Sequence, residues 1–134
     1  MSMVIRAQDD GPVKPEPQVF EQQLDLDDKH ILELGCGTAN LTRLIAETGS
    51  GRRMTALEVD RIQHDKNLLI DDLPNVQFDL AGAEAIPLDD ASVDVVFMFK
   101  SLHHVPMDMM DRAFGEIARV LKPGGLAYVS EPIF

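Results

Sequence analysis

Ile31-Leu32-Glu33-Leu34-Gly35-Cys36-Gly37-Thr38-Ala39 reads as a short buried strand broken by a glycine turn. Residues 31–34 are apolar apart from one acid. Gly35 and Gly37 then interrupt the strand, and Leu41, Leu44 and Ile45 follow at the i, i+3, i+4 spacing of a helix face. Strand, glycine turn and helix together suit a nucleotide-like ligand. Residues without a Cβ let the backbone turn sharply and approach the ligand, and the helix start offers free N–H groups. A dinucleotide fingerprint needs a third glycine at the position where Asn40 stands, and the Gly-Lys-Ser/Thr ending of a phosphate loop is absent.

Working outward, the first helix is predicted over 40–48 and is closed by Gly49-Ser50-Gly51. Met54-Thr55-Ala56-Leu57-Glu58 is a second strand ending in an acid. Asp60 and Gln63 form a capping box for a helix to about residue 70. Residues 76–80 are a third strand, 81–90 a loop, and 93–99 a central buried strand interrupted only by Asp94. Met110, Ala113, Phe114, Ile117, Ala118 and Leu121 make the strongest helical face. Lys122-Pro123-Gly124-Gly125 ends it, and residues 126–130 make a fifth strand. Strands alternating with helices imply an α/β, doubly wound, Rossmann-like parallel sheet, with ligands at the carboxyl ends of the strands. Residues 1–18, with Gly11, Pro12, Pro15 and Pro17, read as a flexible or extended lead-in to a single domain over 19–134. Val19, Phe20 and Leu24 form a short amphipathic turn.

The 134 residues are 45% hydrophobic, enough for one real core, and carry a formal net charge of −11. That charge argues against general nucleic-acid binding, which rests on Lys and Arg neutralising phosphates. One cysteine, Cys36, allows no intrachain disulfide. No apolar run reaches the length of a membrane span, and no signal pattern opens the chain, so a cytoplasmic location is expected.

The pattern acid-x-Gly-x-Gly-x-Ala resembles the class I S-adenosylmethionine-dependent methyltransferases, whose first motif is acid-x-Gly-x-Gly-x-Gly; Ala39 stands at the third glycine. The resemblance runs over roughly residues 29–131. It implies strand order 3-2-1-4-5 and S-adenosylmethionine as cofactor. Glu33 would then face the cofactor's ammonium or position the glycine loop, and Glu58 would accept the ribose hydroxyls. In the segment around Phe78-Asp79-Leu80-Ala81-Gly82-Ala83-Glu84, Gly82 stands where the family has an acid for the adenine amino group. Asp79 and Glu84 are the candidate substitutes, and Ala83 offers its backbone N–H. The cofactor-binding set is accordingly Glu33, Gly35, Cys36, Gly37, Glu58, Val59, Ala83, Glu84 and Lys100.

Lys100-Ser101-Leu102-His103-His104 and the later Arg119-Val120-Leu121-Lys122-Pro123-Gly124-Gly125 are common in the small-molecule branch of the family. His104 is the candidate catalytic residue, as a general base. No metal is expected, because adjacent histidines point apart and no further ligand stands at suitable spacing. Family members continue past the fifth strand with two more, so this chain reads as truncated. Its uncharged fifth strand would then be an open edge, and a homodimer through that edge is expected; the alternatives are that the segment 19–24 folds back over it or that Pro132-Ile133-Phe134 caps it. The functional expectation is methyl transfer to a small-molecule acceptor. The alternative is a non-catalytic or partner-dependent module derived from the same fold. Glu58→Ala is expected to weaken cofactor binding and leave folding intact.

Overall fold

A computed structural model describes residues 2–8, 16–99 and 105–132. The elements are β1 (Ser2–Gln8), α1 (Glu16–Gln23), β2 (His30–Leu34), α2 (Asn40–Glu47), β3 (Arg53–Glu58), α3 (Arg61–Asn67), β4 (Val76–Leu80), β5 (Val93–Phe99), a 3-10 turn (Met107–Met109), α4 (Met110–Val120) and β6 (Leu121–Pro132). All strands pair in parallel, in the order β1-β6-β5-β2-β3-β4. The last five, read from β4 to β6, are the expected 3-2-1-4-5 arrangement.

The sixth strand corrects the sequence reading. Ser2–Gln8, within the segment expected as a flexible or extended lead-in, lies beside β6 in register from Ser2 with Leu126 to Gln8 with Pro132. Residues 126–130 are therefore paired on both sides, with β5 and with β1. The open edge on which the expected homodimer rested does not exist in this fold. The alternation Met3, Ile5, Ala7 is too short and too close to the flanking Gly and Pro residues to stand out in the sequence; only a waiting edge makes it a strand.

Alternate residues of the central strands feed two cores. Leu32, Leu34, Leu57, Val96, Met98, Ala127 and Val129 pack with Ala113, Ile117 and Val120 of α4 on one face. Ile31, Met54, Val95, Phe97 and Tyr128 pack with Phe20 of α1 and Ile45 of α2 on the other. Phe20 is fully buried among Phe97, Phe99 and Tyr128, with ring centroids 5.0, 5.6 and 6.2 Å away. That stack makes the predicted amphipathic turn a helix docked on the sheet. Arg52 fastens α1 from beneath: it donates to Glu21 at 2.7 Å twice, to Asp27 at 3.0 Å and to the carbonyl of Ile45 at 3.0 Å.

Two boundaries moved for local reasons. Gln63 does not complete a capping box. Asp60 caps α3 by accepting from Ile62 N–H at 3.0 Å, but its own N–H is held by Glu58, so Gln63 turns to Asn67 instead. Helix α4 runs straight into β6: Leu121 pairs with Val93 and Leu126 with Val95, so residues 122–125 bulge out of the ladder with Gly124 at φ 81°. Asp94, the one acid in β5, accepts from His30 N–H at 2.9 Å and faces Lys122 at 3.4 Å.

Candidate cofactor cleft

The glycine turn alternates left-handed residues: Gly35 at φ 68°, Gly37 at 55° and Ala39 at 67°. Glycine adopts this conformation freely, whereas Ala39 does so at a cost of about 1 kcal/mol. Ala39 is buried, so its methyl group recovers part of that cost by packing. Position 39 thus keeps the backbone shape of the family motif without its glycine. Helix α2 starts there with no side-chain cap.

The turn is held from both sides. Cys36 N–H donates to the carbonyl of Leu57 at 2.9 Å, and Gly37 N–H donates to Glu58 Oε1 at 2.8 Å. Asn67, buried at the end of α3, donates to the carbonyl of Gly37 at 2.9 Å and lies 3.6 Å from Cys36 Sγ. Gln63 in turn orients Asn67 at 2.9 Å. Sequence reading missed Asn67, which carries no motif signal; its role comes only from where α3 ends.

Glu58 is a cradle as well as a ligand candidate. Besides Gly37 N–H on Oε1, its Oε2 accepts from Val59 N–H at 3.1 Å and Asp60 N–H at 3.0 Å. A carboxylate has about four lone-pair sites, so about one remains for a hydroxyl. The two ribose hydroxyls expected from the sequence would meet a carboxylate that already accepts three backbone N–H groups. Glu58→Ala would strip three backbone N–H groups of their acceptor, so the substitution is expected to touch the turn as well as the ligand.

Glu33 lies beneath the turn, 2% exposed, where it accepts from the fully buried Thr42 of α2 at 2.5 Å. Burial pushes its carboxyl up to about 7, outweighing the Thr42 bond. Burial is also the main reason that the Cys36 thiol is pushed up to about 12, with Glu33 and Glu58 adding to it, so Cys36 is no nucleophile near neutral pH.

Above these groups a cleft of about 680 Å³ opens at the carboxyl ends of β2, β3, β4 and β5. Of the sequence-predicted residues, it gathers Gly35, Gly37, Glu58, Val59, Ala83 and Glu84 on its lining, together with Leu34, Asp60, Ala81, Gly82, Met98, Phe99, Val105 and Pro106. Glu33 and Cys36 sit behind that lining. Lys100 and His104 lie outside the described residues. Among the described residues no group of His, Cys, Asp and Glu could hold a metal, and no helix is long and apolar enough to cross a membrane.

Gly82 and Glu84 form one feature. A Cβ placed on Gly82 would fall 2.5 Å from Glu84 Oε2 and 2.7 Å from Oε1. The carboxylate of Glu84 therefore fills the space into which a side chain at position 82 would grow. Asp79 is not on the cleft lining; it accepts from Gln77 at 3.0 Å on an exposed stretch.

The described lining carries three carboxylates, those of Glu58, Asp60 and Glu84, and no basic side chain. Such a cleft repels phosphates and attracts cations.

The comparisons with known proteins agree with this geometry. A methyltransferase-domain family model (Methyltransf_11) matches residues 32–129. An uncharacterised methyltransferase of Mycobacterium tuberculosis is 38% identical over 109 residues, covering 81% of this chain and 42% of that protein. The phthiotriol/phenolphthiotriol dimycocerosates methyltransferase of the same species is 33% identical over 110 residues, covering 77% and 37%. Among solved structures, the [4+2]-cyclase SpnF superposes with a TM-score of 0.70 at 29% identity, covering 82% of this chain and 42% of that one. The chain thus spans about two fifths of the length of the curated relatives it matches. With the glycine turn, the strand order and the family match in agreement, the chain belongs to the class I S-adenosylmethionine-dependent methyltransferases, in the Methyltransf_11 family.

Proposed function

We propose that the acidic cleft binds S-adenosylmethionine and that the chain serves methyl transfer to a small-molecule acceptor. The observation that carries this reading is the charge of the cleft: three carboxylates, with no cation among the described lining residues, beside a turn whose glycines leave room for a ligand. The cofactor carries an ammonium and a sulfonium, and its sulfonium supplies the activated methyl group. The protein's own part is to bind, align and keep water out.

Glu58, with about one free lone-pair site, takes one ribose hydroxyl, and the neighbouring Asp60 carboxylate is placed to take the other. Glu84, folded over Gly82, replaces the family's acid opposite the adenine amino group, and Ala83 N–H meets the ring. Val59, 65% exposed at the cleft, offers the apolar surface that an aromatic ring would cover. Glu33 stays behind the turn and sets its shape through Thr42. Met98, Phe99, Val105 and Pro106 line an apolar part of the cleft suited to an acceptor with a hydrophobic body. Lys100 remains a candidate for cofactor binding and His104 the candidate general base.

The second reading, a non-catalytic or partner-dependent module derived from the same fold, rests on Ala39 at the motif's third glycine and on Gly82 where the family has an acid. Calorimetric titration with S-adenosylhomocysteine, with ADP as the phosphate-bearing control, separates these readings from a cleft with no such ligand. Binding of S-adenosylhomocysteine without ADP binding is expected. No binding at millimolar ligand, or equal binding of ADP, overturns the cofactor reading. Binding without methyl transfer across a panel of hydroxylated and aminated apolar acceptors would favour the module.

A further inference from the structure

We propose that the ion pair Glu116–Arg119 on α4 is the positioning device that sets the loop wall of the cleft, and so sets cofactor affinity from outside the cleft. The inference rests on the cofactor reading above. Residues 81–92 link β4 to β5 without regular structure, yet their first residues, Ala81 to Glu84, form one side of the cleft. Within the loop the backbone bonds itself only at Ala85 N–H to Gly82 and Leu88 N–H to Ile86. Its first residue is tied to β3, Ala81 N–H donating to the carbonyl of Glu58 at 3.1 Å, and what fixes the rest comes from α4.

Arg119 spends all five of its N–H donors there. Nε and Nη2 clasp Glu116 at 2.6 and 3.1 Å, Nη2 also donates to the carbonyl of Ile86 at 2.8 Å, and Nη1 donates to the carbonyl of Leu88 and to Asp90, each at 2.8 Å. Glu116 completes the clasp by accepting from Ile86 N–H at 2.9 Å. Both polar groups of the Ile86 backbone are thus held by one rigid pair of side chains. Ile86 itself is buried in the α4 core beside Ala83, so the clasp and the core seat the loop together. Downstream, Ala91 and Ser92 N–H donate to the carbonyls of Arg119 and Val120 at 2.9 and 2.8 Å. The loop is tied at Ala81 and again from Ile86 onward, and the stretch between them faces the ligand.

A guanidinium is needed for this, because five bonds to four acceptor groups around a planar fork exceed the three donors of an ammonium. The contacts to carbonyls matter more than the contact to Asp90, which is 79% exposed in its side chain.

The test compares Arg119→Lys, Glu116→Gln and Asp90→Ala with the parent chain, at a temperature where each is folded by circular dichroism. Two quantities are read: amide exchange over 81–90 and the Kd for S-adenosylhomocysteine. Arg119→Lys is expected to speed exchange over 81–90, leave 31–34 and 53–58 protected, and raise Kd about tenfold or more. Glu116→Gln should do the same to a smaller degree, and Asp90→Ala should leave both readouts as they are. If Arg119→Lys is folded and binds with the parent's Kd, the pair is merely structural and the proposal fails. If the parent chain itself binds no S-adenosylhomocysteine, the cofactor reading fails instead. Should Arg119→Lys not fold, Glu116→Gln decides in the same way.

Discussion

Glu33→Gln tests the buried acid under the glycine turn most directly. Burial holds the Glu33 carboxyl at about 7 against an ordinary 4.5. Below pH 4.5 the folded and unfolded chains both carry the proton, and nothing is lost. Between 4.5 and about 7 the unfolded chain releases its proton first, so stability falls as pH rises; above 7 the loss is constant. At about 1.4 kcal/mol per pH unit, the span from 4.5 to about 7 amounts to about 3 kcal/mol. Glutamine removes this dependence, since it stays neutral and keeps an oxygen for Thr42. Its buried NH2 group costs about 1–3 kcal/mol at every pH. The variant should therefore be less stable than the parent at pH 4 and equal or more stable at pH 8, with a swing of about 3 kcal/mol between them. Urea denaturation followed by circular dichroism from pH 4 to 9 measures both chains. The difference between them is the quantity to plot. His30, held below its ordinary 6.5 chiefly by desolvation, destabilises the fold of both chains as pH falls, with the opposite sign, and cancels in the difference. A difference that stays flat within about 1 kcal/mol, or that runs the other way, refutes the assignment of Glu33 as a buried acid that resists ionisation.

Two further outcomes follow from the turn itself. Glu58→Ala should lower stability by about 1–3 kcal/mol, because the Gly37, Val59 and Asp60 N–H groups lose their acceptor, and weaken ligand binding as well; Asp60→Ala should cost about 0.5–2 kcal/mol as a lost cap and weaken binding to a smaller degree. Chemical denaturation beside ligand titration checks both, and a Glu58→Ala chain of parental stability would contradict the cradle. At Ala39, glycine relieves about 1 kcal/mol of left-handed strain and loses about 0.8 kcal/mol of methyl burial, so thermal melts of Ala39→Gly should lie close to the parent. Ala39→Val should lose about 2 kcal/mol or more, because a β-branched side chain at φ 67° is strained; a valine chain that melts with the parent would disprove that backbone geometry.

The glycine turn, the five core strands and the long face of α4 were legible because local rules produce them. A buried parallel strand is a run of apolar residues, a helix face repeats at its own period, and a left-handed turn asks for glycine. Gly35, Gly37, Glu58, Val59, Ala83 and Glu84 were placed together on paper by the family resemblance, and the fold gathers them around one cleft. What the chain alone could not display are relations between distant segments. That Ser2–Gln8 is a strand depends on β6 offering an unpaired edge across more than the whole length of the domain's sequence core. That Glu58 has little capacity left for a ligand depends on where the turn delivers Gly37 N–H. That Asn67 holds the turn, and that Arg119 holds the cleft wall, depends on where α3 stops and how α4 lies against a loop with no period to read. Periodicity and turn chemistry act over a few residues and leave their mark in the order of amino acids. Hydrogen bonds between side chains and remote backbone leave none, since any donor of the right reach will serve once packing has brought it there.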